Sequence, residues 1–189
     1  MRHLDLFSGI GGFALAAQKI GWETVAFCDC EDFAQQVLAK HWPDVPCHPD
    51  IRTLKGANLG PVDIITGGYP CQPYSMAGKR RGKEDDRDLW PEMFRLVLET
   101  GASWVVAENV AGHISMGLDR TLSDLAGAGY EAVPLVIPAC AVGARHRRDR
   151  VWIIGHRGGV RTTHLCRHPT QLLSRADDSP AGRGTPIRT

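Results

Sequence analysis

The sequence predicts an α/β fold in which helices cover both faces of a mostly parallel sheet that has an antiparallel edge strand. Three observations lead to this fold class. Short apolar segments rich in β-branched residues alternate with amphipathic segments of helical period. The last two apolar segments follow one another without a helix between them, which indicates the antiparallel edge. The 189 residues are enough for one domain with a sizeable core.

Six strands are predicted from short apolar runs at residues 3–7, 24–29, 62–68, 103–110, 130–137 and 150–156. Four helices are predicted between them at residues 13–20, 31–42, 88–100 and 118–129. In the second helix the apolar period is carried by Phe33, Val37 and Leu38. Pro91 is compatible with the third helix because it falls in the first turn.

The composition changes after residue 156, and this sets the predicted domain boundary. Residues 1–156 form the predicted domain, and residues 157–189 form a tail rich in Arg, Gly, Pro, Ser and Thr. A segment of this composition has little apolar surface to bury, so we expect a tail of low order. A solvated tail and a tail whose arginines touch nucleic acid are both compatible with the sequence.

The bulk composition limits the class of protein. The net charge is +1, so no global basic field indicates nucleic acid, although a local basic patch is still possible. The six cysteines form no CxxC pair or regular disulfide framework, and the eight histidines show no metal-ligand spacing. The sequence starts without a signal-peptide pattern and has no apolar run near the ~20 residues of a membrane span. We therefore expect a reduced, cytoplasmic protein without a metal centre or a membrane partner.

A glycine-rich turn, Gly9-x-Gly11-Gly12, joins the first strand to the first helix. Glycines let a backbone approach a ligand, and a helix amino terminus favours polar or anionic groups. Asp29 ends the second strand 17 residues beyond Gly12, close to the ~20 typical of an acid that binds ribose hydroxyls. The turn lacks the last glycine of GxGxxG, which favours an adenosine cofactor without a pyrophosphate. A plain tight turn remains an alternative, and Asp50 fits either an adenine contact or a turn.

Cys71 lies between Pro70 and Pro73, directly after the third predicted strand. The two prolines hold their surroundings extended and stiffen this loop. A thiol at the carboxyl end of a strand lies where open α/β sheets bind their ligands, which favours a reactive nucleophile. A cysteine that only packs in the interior remains the other interpretation.

Two further groups follow buried strands. Glu108 ends the strand at residues 103–110, where it would point into the ligand crevice and burial would raise its pKa. A lone glutamate there could equally cap a helix or accept a backbone hydrogen bond. Four arginines lie within residues 145–150, directly before the last strand. Arginine forks orient carboxylates, phosphates and carbonyl oxygens, although a solvated basic turn accounts for some of them.

Taken together, the segments DLFSGIGG, GGYPCQPYS, ENV and HRRDRVWIIG, in this order, resemble the DNA (cytosine-5)-methyltransferases. The resemblance runs from about residue 2 to residue 156, and its most specific part is the proline-cysteine segment with ENV. It implies a class I, Rossmann-like methyltransferase sheet that binds S-adenosylmethionine. It further implies methylation of double-stranded DNA, with the target cytosine turned out of the duplex, in a prokaryotic or phage restriction-modification system.

Carried over by position, the resemblance makes Cys71 the nucleophile that attacks carbon 6 of cytosine. Glu108 would bind ring nitrogen 3 and the exocyclic amine, Arg150 would contact the cytosine carbonyl oxygen, and Arg148 would orient the Glu108 carboxylate. The implied cofactor contacts are Phe7, Ser8, Gly9, Gly11, Gly12, Asp29, Cys30, Asp50, Ile51 and Pro70. The segment 75–87 is implied to close over DNA, with phosphate or DNA contacts from Ser75, Lys79, Arg80 and Arg81.

The sequence departs from the family pattern at three places. His146 stands where many relatives carry glutamine, and Cys30 stands where an aromatic residue often packs on adenine. The resemblance also stops soon after the arginine strand, so we expect the target-recognition lobe to be absent and a second polypeptide to supply it. Two other hypotheses remain: a catalytically silent remnant that still binds the cofactor, and cytosine-5 methylation of RNA.

Overall fold

The computed structural model describes residues 1–70 and 88–158. Within them the seven strands are β1 (Arg2–Leu6), β2 (Glu23–Cys28), β3 (Cys47–His48), β4 (Ile64–Gly67), β5 (Trp104–Val110), β6 (Glu131–Pro138) and β7 (Asp149–His156). The α-helices are α1 (Gly12–Lys19), α2 (Asp32–His41), α3 (Trp90–Thr100) and α4 (Leu118–Gly127). Short 3-10 helices span Gly56–Asn58, Ala111–Ser115 and Ala139–Val142.

The strands form one sheet in the order β3-β2-β1-β4-β5-β7-β6. Strands β3, β2, β1, β4 and β5 run parallel to one another. Strand β7 is antiparallel to both β5 and β6. The predicted mostly parallel sheet with an antiparallel edge is confirmed. In detail, the reversed strand β7 lies second from the edge and β6 is outermost, because β7 is inserted between β5 and β6.

The core lies on both sides of the sheet, as expected for an α/β fold. Consecutive residues of β2 point to opposite faces, so Ala26 and Cys28 join one cluster of buried residues and Phe27 joins another. The larger cluster includes Met93 and Leu96 of α3 and Leu125 of α4. The smaller one contains Ala14 of α1 and Leu38 of α2.

The ten predicted elements are all present, with bounds within two residues of those expected. One detail of α2 was wrong, because Phe33 does not contribute to its buried face and is 71% exposed. The prediction for Leu38 is confirmed, since it is fully buried, and Ala34, one turn before it, completes the buried face. The two-residue strand β3 was missed, since it is too short to show any period.

Two parts of the sequence-based interpretation fall outside the described residues. These are the segment containing Cys71 and the proposed DNA contacts, and nearly all of the predicted tail at residues 157–189. The domain boundary at residue 156 therefore stays a prediction. No helix within residues 1–70 and 88–158 is long and apolar enough to cross a membrane.

Candidate active site

The glycine turn lies directly at the carboxyl end of β1. Phe7, Gly9 and Gly11 all have positive φ angles, of 53°, 51° and 87°. Gly11 also faces the ring of Trp42, and a Cβ added at Gly11 would lie 2.5 Å from a ring carbon. By contrast, a Cβ added at Gly9 or Gly12 would meet no atom within 4 Å. The turn is thus packed on its Gly11 side and open at Gly9 and Gly12, where a ligand has room.

Asp29 lies beside this turn, as the sequence predicted. One oxygen of its carboxylate accepts a hydrogen bond from the Gly9 amide at 2.7 Å, and the other accepts one from the Glu31 amide at 2.9 Å. Each carboxylate oxygen has a second lone pair for a further donor. Asp29 is therefore oriented by the backbone and able to accept from a ligand hydroxyl.

The other predicted cofactor contacts lie near this end of the sheet. Ile51 is buried, Pro70 is exposed after β4, and Cys30 is exposed after β2. Asp50 begins a turn, because its side chain accepts a hydrogen bond from the Arg52 amide at 2.9 Å. The turn role left open by the sequence is thus realised. Ser8 is buried, and its hydroxyl donates to the Asp5 carbonyl at 2.7 Å.

Glu108 forms an ion pair with Arg150, with 2.7 Å between Glu108 Oε1 and Arg150 Nε. Both side chains are about three-quarters buried, with exposed fractions of 24% and 23%. Burial raises the pKa of Glu108, and the opposing effects of Arg150 and Arg148 do not cancel this. The carboxyl is thus oriented by a fixed cation, while burial keeps its pKa above the ordinary value.

The two arginines differ in their contact with Glu108. Arg148 was predicted to orient the Glu108 carboxylate, but this contact is made by Arg150. The register explains the difference, since Arg150 lies opposite Val110 on β5 and Trp152 lies opposite Glu108. Side chains two residues apart on a strand share a face, so Arg150 is the diagonal neighbour of Glu108. Arg148 lies just before β7, is exposed, and has a positive φ of 38°.

A cavity of about 650 Å³ opens beside this ion pair. Glu108, Arg148 and Arg150 contribute its polar groups, and the remaining wall is mostly apolar. Phe13 and Trp152 meet edge to face in this wall, with ring centroids 5.7 Å apart. The other lining residues are Gly12, Ala16, Ile137, Pro138, Ala139 and Val142. The sequence-based interpretation missed this wall; Trp152, two residues after Arg150 on the same strand, was the available signal.

Buried polar groups fix the chain on both sides of the segment that contains Cys71. Asn109 donates its side-chain amide to the Tyr69 carbonyl at 3.2 Å, and the Tyr69 hydroxyl lies 2.7 Å from Nε2 of His113. The Tyr69 ring also contacts that of Trp90, with centroids 5.2 Å apart. This set was not predicted, although Asn109 belongs to the ENV segment that pointed to the site.

Cys71, Ser75, Lys79, Arg80 and Arg81 lie outside the described residues. The described chain ends on that side at Pro70, after β4, and β4 is the direct neighbour of the strand that carries Glu108. A Cβ added at Gly68 would lie 3.1 Å from Glu108 Oε2, so the end of β4 approaches that carboxylate closely. Among the described residues, no group of three or more His, Cys, Asp or Glu is arranged to hold a metal ion.

Comparison with known proteins matches this arrangement to one family. The family model for C-5 cytosine-specific DNA methylases matches residues 1–178. Over 156 residues the chain is 33% identical to the type II methyltransferase M.NgoMIV of Neisseria gonorrhoeae, covering 80% of this chain and 50% of that protein. It is also 36% identical over 162 residues to M.HgiCII of Herpetosiphon aurantiacus, covering 82% of this chain and 37% of that protein.

Solved structures give the same picture. A DNA modification methyltransferase encoded within an E. coli prophage superposes with a TM-score of 0.70 at 27% identity, covering 83% of this chain and 47% of that one. Spodoptera frugiperda DNMT2, at 23% identity and a TM-score of 0.72, shares the fold. This chain thus spans between about a third and a half of the length of these curated relatives. The chain belongs to the C-5 cytosine-specific DNA methylase family.

Proposed function

We propose that this chain is the catalytic half of a DNA cytosine-5 methyltransferase, which transfers a methyl group from S-adenosylmethionine to carbon 5 of cytosine in double-stranded DNA. The observation that carries the proposal is the Glu108–Arg150 pair, which lies beside a ligand-sized cavity at the same sheet edge as the glycine turn. Type II relatives in bacteria support a restriction-modification role in the cytoplasm.

The residues at the turn fit the cofactor. Gly9 and Gly12 leave open space, Asp29 presents a backbone-oriented carboxylate for ribose hydroxyls, and Ile51 offers a buried apolar contact for adenine. Phe7, with its left-handed backbone, begins this turn. When bound, S-adenosylmethionine supplies an electrophilic methyl group. The chain's own residues must then orient and activate the cytosine.

Cys71 would begin the reaction. Its thiolate adds to carbon 6 of cytosine, forming a carbon–sulfur bond and placing electron density on carbon 5. Carbon 5 takes the methyl group and then loses its proton to a base. Elimination restores the ring double bond and releases the Cys71 thiolate. The base is turned out of the duplex because its reacting face is otherwise stacked.

Glu108 and Arg150 would stabilise the ring during addition. Glu108 would donate a hydrogen bond to ring nitrogen 3 in its protonated form, and burial shifts its pKa in the direction that favours this form. Arg150 uses Nε for Glu108 and donates from Nη1 to the Asp149 carbonyl at 3.0 Å, which fixes its guanidinium plane. The plane's remaining N–H groups are available for the cytosine carbonyl oxygen. Arg148, on the cavity wall, is assigned to the same substrate rather than to Glu108.

Exposed apolar side chains lie beside the cavity. Ile137 and Val142 line the cavity and are exposed, and Leu135, two residues before Ile137 on β6, is exposed on the same face. Clusters of exposed apolar side chains are typical of interaction surfaces. We propose that the part of the relatives that this chain does not match covers this surface and supplies target recognition.

The experiment is methyl transfer from labelled S-adenosylmethionine to DNA. The chain is assayed alone and with the unmatched half of M.NgoMIV expressed as a separate polypeptide. We expect transfer only in the mixture, and none with Cys71→Ser. Cofactor binding without transfer in every mixture would instead assign the chain as a silent cofactor-binding module. Transfer to an RNA substrate but not to DNA would change the assigned polymer.

A further inference from the structure

The loop between β3 and β4 is tied to α3 by two charged side chains. Arg95 donates from Nη2 to the Ile51 carbonyl at 2.8 Å. Glu99 accepts a hydrogen bond from the Gly56 amide at 2.7 Å. The two contacts lie at opposite ends of residues 51–56, so α3 fixes both ends of this segment.

Arg95 is itself held in one orientation. Its Nε lies 2.8 Å from Glu92 Oε2 and its Nη1 lies 2.7 Å from Glu99 Oε1. The partners are three residues before and four residues after it on α3, the spacings at which side chains of a helix meet. A planar guanidinium donates in three fixed directions at once, so the two carboxylates aim the remaining donor at Ile51.

The backbone approaches α3 too closely for other side chains. A Cβ added at Gly56 would lie 2.7 Å from the Cβ of Glu99. Ile51 and Leu54, between the two contacts, are almost fully buried. The Ile51 side chain is therefore held by the core, and its carbonyl is held by the hydrogen bond from Arg95.

We propose that Arg95 is a positioning residue for the adenine end of the cofactor site. It acts through the Ile51 carbonyl and so determines where Ile51 and Asp50 lie relative to the glycine turn. This inference rests on the proposed function, which assigns Ile51 to the adenine contact. Arg95 touches no reacting atom in this assignment, so its effect is on cofactor affinity rather than on chemistry.

The same contacts contribute little to overall stability. The side chains of Arg95, Glu92 and Glu99 are each about one-third exposed, and ion pairs at such positions are weakened by solvent. Loss of Arg95 should therefore loosen the segment 51–56 without unfolding the domain. This separates a positioning role from a merely structural one.

Arg2 provides a matched control. It also donates to a loop carbonyl, from Nε to Pro61 at 2.7 Å, and it lies 3.5 Å from Glu23. However, Arg2 lies at the amino end of β1, opposite the glycine turn. The variants Arg95→Gln, Arg95→Lys and Arg2→Gln are compared with the unaltered chain by thermal unfolding, amide hydrogen exchange, and calorimetry with S-adenosylmethionine and with adenosine.

We expect Arg95→Gln to weaken binding of S-adenosylmethionine and of adenosine by the same factor, about tenfold, the loss typical of one charged hydrogen bond. Exchange at the Gly56 amide should accelerate in this variant and not in Arg2→Gln, while both unfold at similar temperatures. Arg95→Lys keeps the positive charge but not the planar guanidinium. Its affinity for both ligands should therefore lie between those of the unaltered chain and Arg95→Gln.

Equal affinities and equal exchange in the Arg95→Gln and Arg2→Gln variants would overturn the proposal. A loss of affinity that merely follows a large drop in unfolding temperature would also overturn it, since the role would then be structural. If the unaltered chain binds neither ligand although Arg95→Gln accelerates exchange at Gly56, the proposed cofactor fails while the tie between Arg95 and the loop stands.

Discussion

Arg150 Nε lies 2.7 Å from Glu108 Oε1, where the antiparallel strand β7 runs beside the end of β5. The carboxyl is thus subject to two opposing influences. Burial raises the pKa of Glu108 and the nearby guanidinium lowers it, and burial is the stronger. Glu108 is thus oriented by Arg150, and its pKa is shifted in the direction that favours the protonated form used in the proposed chemistry.

Replacing Arg150 with glutamine should raise the pKa of Glu108 further, because the substitution removes a cation that stabilises the ionised carboxylate. The change is measured by NMR titration of carbon-labelled glutamate side chains. Arg147→Gln is the control, since Arg147 pairs with Asp149 instead. If the pKa of Glu108 in Arg150→Gln were unchanged or lower, the ion pair between Glu108 and Arg150 would not be formed.

Neighbouring glycines of the turn should respond differently to alanine. Gly11→Ala places a methyl group against Trp42 at a residue with positive φ, so we expect a loss of about 1–3 kcal/mol in the free energy of unfolding. Gly12→Ala lies at the start of α1 with open space around it, and should gain up to about 1 kcal/mol. Denaturant unfolding measures both values.

The same Gly12→Ala variant should bind S-adenosylmethionine about tenfold more weakly, because the added methyl group enters the cavity that Gly12 lines. Calorimetry on the folded variant provides the measurement. Full affinity in a stable Gly12→Ala protein would place the cofactor elsewhere.

Asp5 should make stability depend on pH. Asp5 is buried in a hydrogen-bonded chain in which Thr66 donates to it at 2.9 Å and His3 Nε2 lies 2.7 Å from the Thr66 hydroxyl. Burial raises the pKa of Asp5 to about 7 and lowers that of His3 to about 4. Between pH ~4 and about pH 7, Asp5 is therefore protonated in the folded state and ionised in the unfolded state. Stability from Asp5 is present below pH ~4 and is lost as the pH rises through about 7.

The variant Asp5→Asn should therefore gain stability relative to the unaltered chain as the pH rises from 3 to 8. The expected size is on the order of 4 kcal/mol, at ~1.4 kcal/mol per unit of pKa shift. In the variant, the free energy of unfolding still depends on pH through His3, with the opposite sign. The stability from neutral, buried His3 is lost as the pH falls toward its pKa of about 4. Urea unfolding across this range tests the prediction, and parallel profiles for the two proteins would contradict it.

Tyr69→Phe should destabilise the domain by about 1 kcal/mol, the typical net contribution of one hydrogen bond. His113 Nε2 would lose its shorter contact, at 2.7 Å, and keep only the one at 3.4 Å to the Thr121 hydroxyl, while its Nδ1 already lacks a partner within the described residues. Denaturant unfolding gives the value. A neutral substitution would mean that the hydroxyl does not hold this part of the structure.

Much of the fold followed from local patterns, because periodicity and glycine placement act within about ten residues. The strand that carries Glu108 and the arginine strand β7 were both located this way. Which arginine meets Glu108 was not predictable, since the register that pairs Val110 with Arg150 joins residues 40 positions apart. The backbone of Arg148 turns at a positive φ, and no residue type in that basic stretch signals this.

The cavity wall escaped prediction for a related reason. Phe13 lies on α1 and Trp152 on β7, and it is the packing of these distant elements that brings their rings together. The contacts of Arg95 with Glu92, Glu99 and the Ile51 carbonyl were likewise not predicted. Charged residues at this spacing are also typical of a solvated helix face. Local chemistry was predictable, and long-range contacts were not.

The central claim is that Cys71 attacks a cytosine held beside Glu108 and the methyl donor. The most direct measurement is mass spectrometry of the complex formed with S-adenosylmethionine and duplex DNA containing 5-fluorocytosine, in the presence of the complementing half of M.NgoMIV. Fluorine blocks loss of the carbon 5 substituent, so the adduct should persist and map to Cys71, with none formed by Cys71→Ser. An adduct on another residue, an adduct that survives Cys71→Ser, or no adduct at all would contradict the account.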